Sequence, residues 1–217
     1  MRKMNAKSVQ GLHGPPHAEK DRKKRFPPMT TAPTDTKAAD DERLMAALAL
    51  ALVDKPRAPL QELAKAVGVS KATLYRFCKT RDELIARLMA HGAQLMRRAL
   101  ADARLDEGTP REALQRVIQG QLAHREMGAF LMYYWKPDTL SDERWSDQWD
   151  QFTQALDAFF LRCQREGYFR IDISAAALTE SLIALVVCMM DAERLGRVAR
   201  AGMADVVETL FMNGAIA

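Results

Sequence analysis

A cluster of residues between positions 71 and 79 has the types and spacing to do chemistry together. At about 100° per residue, Lys71, Ala72, Tyr75, Arg76 and Lys79 share one face of a helix while Leu74 and Phe77 share the other. Cations, a small alanine and a phenol on a free face suit the edge of a DNA major groove. Lys and Arg can read guanine acceptors or hold phosphate, and alanine permits close approach or contact with a thymine methyl. The hydroxyls of Thr73 and Tyr75 can bond phosphate oxygens. A strip of this kind alone is most often a solvated face, so the segment in front of it decides what it is for.

That segment reads as a second short helix and a tight turn. Pro59 suits a first helical turn, and Leu60, Leu63, Ala64 and Val67 then form one apolar face. Gly68 supplies the left-handed conformation that ends the helix, and Ser70 two residues later is a good N-cap for the next. Two helices joined by Val67-Gly68-Val69-Ser70 make a helix-turn-helix.

The rest of the chain also reads as helix, because apolar residues recur three and four apart and strand-bounding turn signals are missing. The expected fold is all-α. A first helix is predicted from about Asp40 to Leu52, acidic at its start where the helix dipole favours negative charge. A long fourth helix opens at the capping box Thr80-Arg81-Asp82-Glu83 and runs to about Leu105, and a fifth opens at Thr109-Pro110-Arg111-Glu112. A sixth spans about Glu126 to Trp135, and a seventh carries the stripe Trp145, Trp149, Phe152, Leu156, Phe159 and Cys163 up to Gly167. The eighth, about Ser174 to Leu195, has Leu178, Leu182, Leu185, Val186 and Met189 on one face and Ile183, Val187 and Met190 on the other. A helix apolar all round needs cover on both sides. With Met203, Val206, Val207 and Leu210 of a ninth helix, it is expected to form half of a four-helix interface across a two-fold axis, making a homodimer.

Charge divides the chain more sharply than the net +4 over 217 residues suggests. Residues 1–39 carry nine Lys/Arg against three Asp/Glu, residues 54–81 seven against two, and residues 82–217 fifteen against twenty. A basic front suits a polyanion. Residues 1–38, rich in Pro, Thr, Lys and Arg and without apolar periodicity, are expected to be a disordered basic tail. Either this tail adds phosphate or minor-groove contacts, or it precedes a start at Met29. Cys78, Cys163 and Cys188 are odd in number and widely spaced, which fits neither a disulfide framework nor a zinc site and suits a reducing cytoplasm. The longest apolar run, Leu182 to Met190, is far short of the roughly 18 to 20 residues of a membrane span, so no membrane partner is expected.

The run Leu60-Gln-Glu-Leu-Ala-Lys-Ala-Val-Gly-Val-Ser-Lys-Ala-Thr-Leu-Tyr-Arg-Phe, followed by Thr80-Arg-Asp-Glu-Leu84, resembles the DNA-binding signature of TetR-type transcriptional repressors. The similarity covers about residues 44–90 and departs from the commonest pattern at Phe77-Cys78-Lys79, which bears on base preference. It implies a DNA-binding domain at 39–85 and a helical domain for ligand binding and dimerisation at 86–217. Two recognition helices would enter successive major grooves of a pseudo-palindrome, about 34 to 36 Å apart.

Carried onto this chain, the resemblance implies that Lys71, Ala72 and Thr73, behind the cap Ser70, face bases and nearby phosphates. It gives Tyr75 and Arg81 a phosphate each, and Gln61, near its helix start, a further one; Arg76 and Lys79 are added from the helical wheel. It also implies a small-molecule inducer bound among helices four to eight. His91, Phe130, Tyr134, Trp145, Trp149 and Phe152, which combine aromatic bulk with polar tips, are the expected lining.

An enzyme is not expected. None of the four histidines has Glu three residues before it, as a carboxylate di-iron bundle requires, and no P-loop, G-x-S-x-G or H-E-x-x-H occurs, so neither metal nor cofactor is predicted. The competing class is a non-catalytic, dimeric helical adaptor that binds protein rather than DNA.

Overall fold

The computed structural model describes residues 33–134 and 143–217, and among these are nine helices. They are α1 (Pro33–Asp54), α2 (Leu60–Ala66), α3 (Lys71–Phe77), α4 (Arg81–Ala103), α5 (Pro110–Ala123), α6 (Arg125–Tyr134), α7 (Glu143–Arg165), α8 (Ala175–Arg194) and α9 (Met203–Ala215). Among the described residues the only β pairing is an isolated bridge between Phe169 and Ile216, which ties the chain's end to the turn after α7. The fold is all-α as expected. The first helix starts at Pro33 rather than near Asp40. Proline's fixed φ suits a first turn, and Lys37, Ala38 and Ala39 are good helix formers, so the helix runs back into what composition marked as tail. The tail up to residue 32 lies outside the described residues.

Helix ends follow local chemistry. Ser70, Thr80, Thr109 and Ser174 each accept a hydrogen bond from the backbone N–H three residues on. Thr109 and Glu112 form a full capping box, whose bonds to Thr109 hold the Glu112 carboxyl below its usual pKa. At Thr80 the box is skewed: Glu83 reaches past it to the N–H of Lys79 at 2.8 Å. The end of α4 is secured by one side chain, because the Arg116 guanidinium donates to the carbonyls of Ala103 (2.7 Å), Arg104 (3.0 Å) and Glu107 (2.5 Å).

Burial falls into two cores. The first gathers Leu48 and Leu52 of α1, Leu63 of α2, Leu74 of α3, Leu84 and Leu88 of α4, and Met127, Phe130 and Leu131 of α6. The second gathers Leu114 and Ile118 of α5, Leu156, Phe159 and Phe160 of α7, Leu182 and Val186 of α8, and Val207 and Phe211 of α9, with Phe169 between α7 and α8. Met96 of α4 touches both. The first core is therefore not closed at residue 85: α6 completes it. By length and composition alone α8 would suit a membrane, yet Leu182 and Val186 are fully buried in the second core.

The dimer residues expected from periodicity divide into two sets. Leu178, Leu182, Val186, Met203 and Val207 are buried within this one chain and are not available to a partner. Leu185 and Met189 are half-buried, and Val206 and Leu210 stand 42% and 53% exposed. Periodicity marks a face that is covered, without saying whether its own chain or another covers it.

Replacing Arg116 by Ala should strand three carbonyls at the end of α4 and lower stability by about 1 to 3 kcal/mol, read as a fall in the urea midpoint at unchanged slope.

Candidate functional site

The reading face is built by the turn before α3. Gly68 sits at φ +74°, a left-handed conformation that side chains disfavour, and lets the N–H of Val69 return to the Ala64 carbonyl at 3.0 Å. Ser70 Oγ accepts from the Thr73 N–H at 3.0 Å and lies 2.8 Å from Thr73 Oγ1, which commits both hydroxyls to the cap. Leu74 is fully buried and Phe77 half-buried beneath the Arg87 guanidinium at 5.2 Å, leaving Lys71, Ala72, Tyr75 and Arg76 exposed together. The Lys71 ammonium lies over the Tyr75 ring at 5.5 Å and donates to Gln61 Oε1 at 3.5 Å, so α2 and α3 present their polar groups as one unit.

Two expected contacts are displaced. Helix α3 ends at Phe77 because Cys78 is extended at φ −149° and ψ 141°, so Lys79 lies off the helical face, its N–H held by Glu83. That bond, and then Arg87, lower the pKa of Glu83. Arg81 is turned away from the reading face: one guanidinium nitrogen donates to the Pro56 carbonyl and, at 2.7 Å, to the Tyr134 hydroxyl. A side chain expected at phosphate and another expected at ligand thus hold each other. Burial raises the Tyr134 pKa against the opposing pull of Arg81, so the phenol stays protonated.

A narrow apolar cavity of about 70 Å³ lies between the long helices of the body. Its walls are Gly92, Leu95, Met96 and Ala99 of α4, Gly120, Gln121 and His124 after and along α5, Met127, Gly128, Leu131 and Met132 of α6, Trp149 and Phe152 of α7, and Ile183, Val187 and Met190 of α8. Of the expected lining, Trp149 and Phe152 are there, their ring centroids 5.9 Å apart. Phe130 is not: it is fully buried in the first core, 4.7 Å from the Tyr134 ring. His91 lines a separate shallow groove with Glu42, Arg43, His124 and Glu126. The Trp145 side chain lies outside the described residues.

Of the six expected residues, then, the described side chains of two line this cavity, and most of its walls are not aromatic. Three glycines inside helices were the better signal: a Cβ at Gly92 would stand 2.9 Å from Leu131, at Gly120 3.3 Å from Ala99, and at Gly128 3.1 Å from Met190. One polar group in the walls stands out, since Gln121 Nε2 is buried with no hydrogen-bond partner among the described residues. Cys78 and Cys163 are buried, and burial raises both thiols, which keeps them protonated and unreactive.

His91 has its pKa lowered from 6.5, chiefly by burial, with Arg98 and His124 acting the same way and Glu42 against them. Its folded form resists a proton that the unfolded chain accepts, so this histidine's support for folding is present above about pH 6.5 and lost as pH falls through the lowered folded value. His91→Gln should therefore lose less of its urea midpoint than the parent between pH 7.5 and 5.5; an equal loss would assign the acid sensitivity elsewhere.

No family model matches the chain. Over 180 residues it is 49% identical to the HTH-type transcriptional regulator NfxB of Pseudomonas aeruginosa, covering 83% of this chain and 96% of that one. Over 141 residues it is 28% identical to the HTH-type transcriptional repressor LfrR of Mycolicibacterium smegmatis, covering 64% of this chain and 73% of that one. Among solved structures, the TetR-like regulator LfrR in complex with proflavine superposes with a TM-score of 0.62 at 25% identity, over 84% of this chain and 99% of that chain. The TetR-family regulator PfmR of Thermus thermophilus shares the fold, with a TM-score of 0.61 at 21% identity over 79% of this chain and 98% of that chain. With a helix-turn-helix that presents an exposed cationic face, a near-full-length helix-turn-helix regulator at 49% identity and the TetR-like LfrR matching in both sequence and fold, the chain belongs to the TetR family of helix-turn-helix transcriptional regulators.

Proposed function

We propose that the protein is a cytoplasmic, homodimeric repressor whose paired α3 helices occupy successive major grooves of a pseudo-palindromic operator, and that a small molecule entering the body cavity releases it. The observation that carries this reading is the pairing, in one chain, of an exposed α3 face with an apolar cavity whose α4 wall also packs into the reading end. In it, residues 39–85 read DNA, with Lys71, Ala72, Tyr75 and Arg76 at the groove and Gln61 beside them. Residues 86–217 bind the ligand and pair the subunits, through the outer faces of α8 and α9 that carry Leu185, Met189, Val206 and Leu210.

The cavity's chemistry points to a flat, largely apolar ligand. Trp149 and Phe152 offer ring faces, Met96, Met127 and Met190 offer adaptable polarisable contact, and the Gln121 amide is a donor awaiting an acceptor. That LfrR has been solved with proflavine, a flat aromatic, is in keeping with this class.

The test begins with a duplex selected from a random pool by the purified protein. Lys71→Ala and Tyr75→Ala should each weaken its binding by about 1 to 3 kcal/mol, and only Lys71→Ala, which removes a cation, should also reduce the salt dependence, by about one phosphate contact. Equal binding by parent and variants under competitor DNA would instead favour the protein-binding adaptor. Leu210→Asp should convert the dimer to monomer at micromolar concentration in sedimentation and lower operator affinity with it; a dimer that persists would move the interface away from α9.

A further inference from the structure

We propose that the turn between α1 and α2, residues Asp54 to Pro56, is the joint through which the cavity walls set the position of the reading helices. Each of its three residues is held by a different element. Asp54 accepts from Arg194 at the end of α8, at 3.1 Å. Lys55 pairs with Glu62 of α2 at 3.2 Å. The Pro56 carbonyl accepts from Arg81 at the start of α4, and the same nitrogen donates to Tyr134 at the end of α6, whose ring lies 5.9 Å from the guanidinium carbon. This inference rests on the reading of the cavity as the ligand site.

The two outer holders connect directly to the cavity. Leu131, three residues before Tyr134, and Met190, four before Arg194, both line it, so each wall helix ends within about one turn on a residue that grips the joint. The walls are already in contact, with room at Gly128 for no more than the Met190 side chain. A cavity of about 70 Å³ is smaller than the roughly 150 Å³ that accommodates a benzene, so a larger occupant must displace wall side chains or the helices that carry them, and at Gly128 the wall it meets is the contact between α6 and α8. Separating them draws Tyr134 and Arg194 apart while Arg194 stays tied to Asp54 directly and Tyr134 stays tied to Pro56 through Arg81. From there the displacement passes through Lys55 and Glu62 to α2, and through Gln61 and Lys71 to α3. The Asp54 and Arg194 side chains are 50% and 29% exposed, so their pairing is worth under about 1 kcal/mol, which also bounds the coupling it carries.

The experiment uses a built-in occupant, because no ligand is identified. Gly128→Leu wedges α6 from α8 and Gly92→Val wedges α4 from α6; each is made in the parent and in an Asp54→Asn, Tyr134→Phe background that cuts both outer tethers. Binding is measured on the selected duplex for variants that keep their helical signal and dimer state, and either wedge suffices should the other fail to fold. The expected result is a wedge that lowers operator affinity by about 5-fold or more in the parent, within the usual range of coupling, and by less than about 2-fold in the untethered background. An equal loss in both backgrounds would overturn the joint while leaving the release reading standing. No loss in either background from a folded wedge would overturn the release reading, and the joint with it.

Discussion

The structure depends on one helix that must satisfy two cores at once. With 23 residues, α4 is about 35 Å long at 1.5 Å per residue, so its first turns lie among the reading helices and its last among those of the body. Leu84 and Leu88 are fully buried in the first core, while Met96 touches both. Neither end can shift without repacking the other. Arg116 fixes the far end by its three carbonyl bonds, and Thr80 caps the near end, so α4 behaves as a rod rather than a hinge. The give in the molecule must then lie in how α6 sits against it and against α8.

How much was legible in the sequence tracks how local the cause is. The helix-turn-helix could be read because Gly68, Ser70 and Thr80 act within three or four residues of themselves, and all three ends are where their chemistry puts them. The wheel also separated Leu74 from Lys71, Tyr75 and Arg76 correctly, since burial on a short helix follows a single face. It failed at Lys79 because it assumed a helix that Cys78 had already left. The resemblance, which implies a phosphate for Arg81, carries nothing about the side chain's partners in this structure, Pro56 and Tyr134, which are 25 and 53 residues away. No local pattern carries that information.

The body was legible as helices and much less as surfaces. Leu178, Leu182 and Val186 follow the expected stripe, but a stripe has no label for its partner, and here α7 and α9 of the same chain cover it. The cavity walls were legible only at Trp149 and Phe152. Aromatic character does not separate a wall from a core: Phe130 and Tyr134 finish the first core, and the walls are mostly methionine, leucine and glycine. A glycine within a helix gives up about 1 kcal/mol relative to alanine. Three of them on α4, α5 and α6, each where a Cβ would crowd a neighbouring helix, are the sequence trace of that close approach.

The magnitudes explain why such a body can be moved by a small molecule. Opening α6 from α8 strains, without breaking, interactions that are individually modest, and the strain costs no more than each is worth: under about 1 kcal/mol for the half-exposed ion pair of Asp54 and Arg194, and about 1.5 to 3 for the charge-assisted bond from Arg81 to Tyr134. A flat ligand that buries its faces between Trp149, Phe152 and the methionines gains about 25 cal/mol per Å² of apolar surface. Some 100 to 200 Å² of ligand surface is then enough, at about 2.5 to 5 kcal/mol, to offset that strain. By contrast, the Leu84 and Leu88 contacts that tie α4 into the first core would take about 2 to 5 kcal/mol each, so about 4 to 10 together, to lose, roughly twice what that ligand surface supplies. The difference in strength between the two sets decides which parts move as a rigid unit and which interface opens.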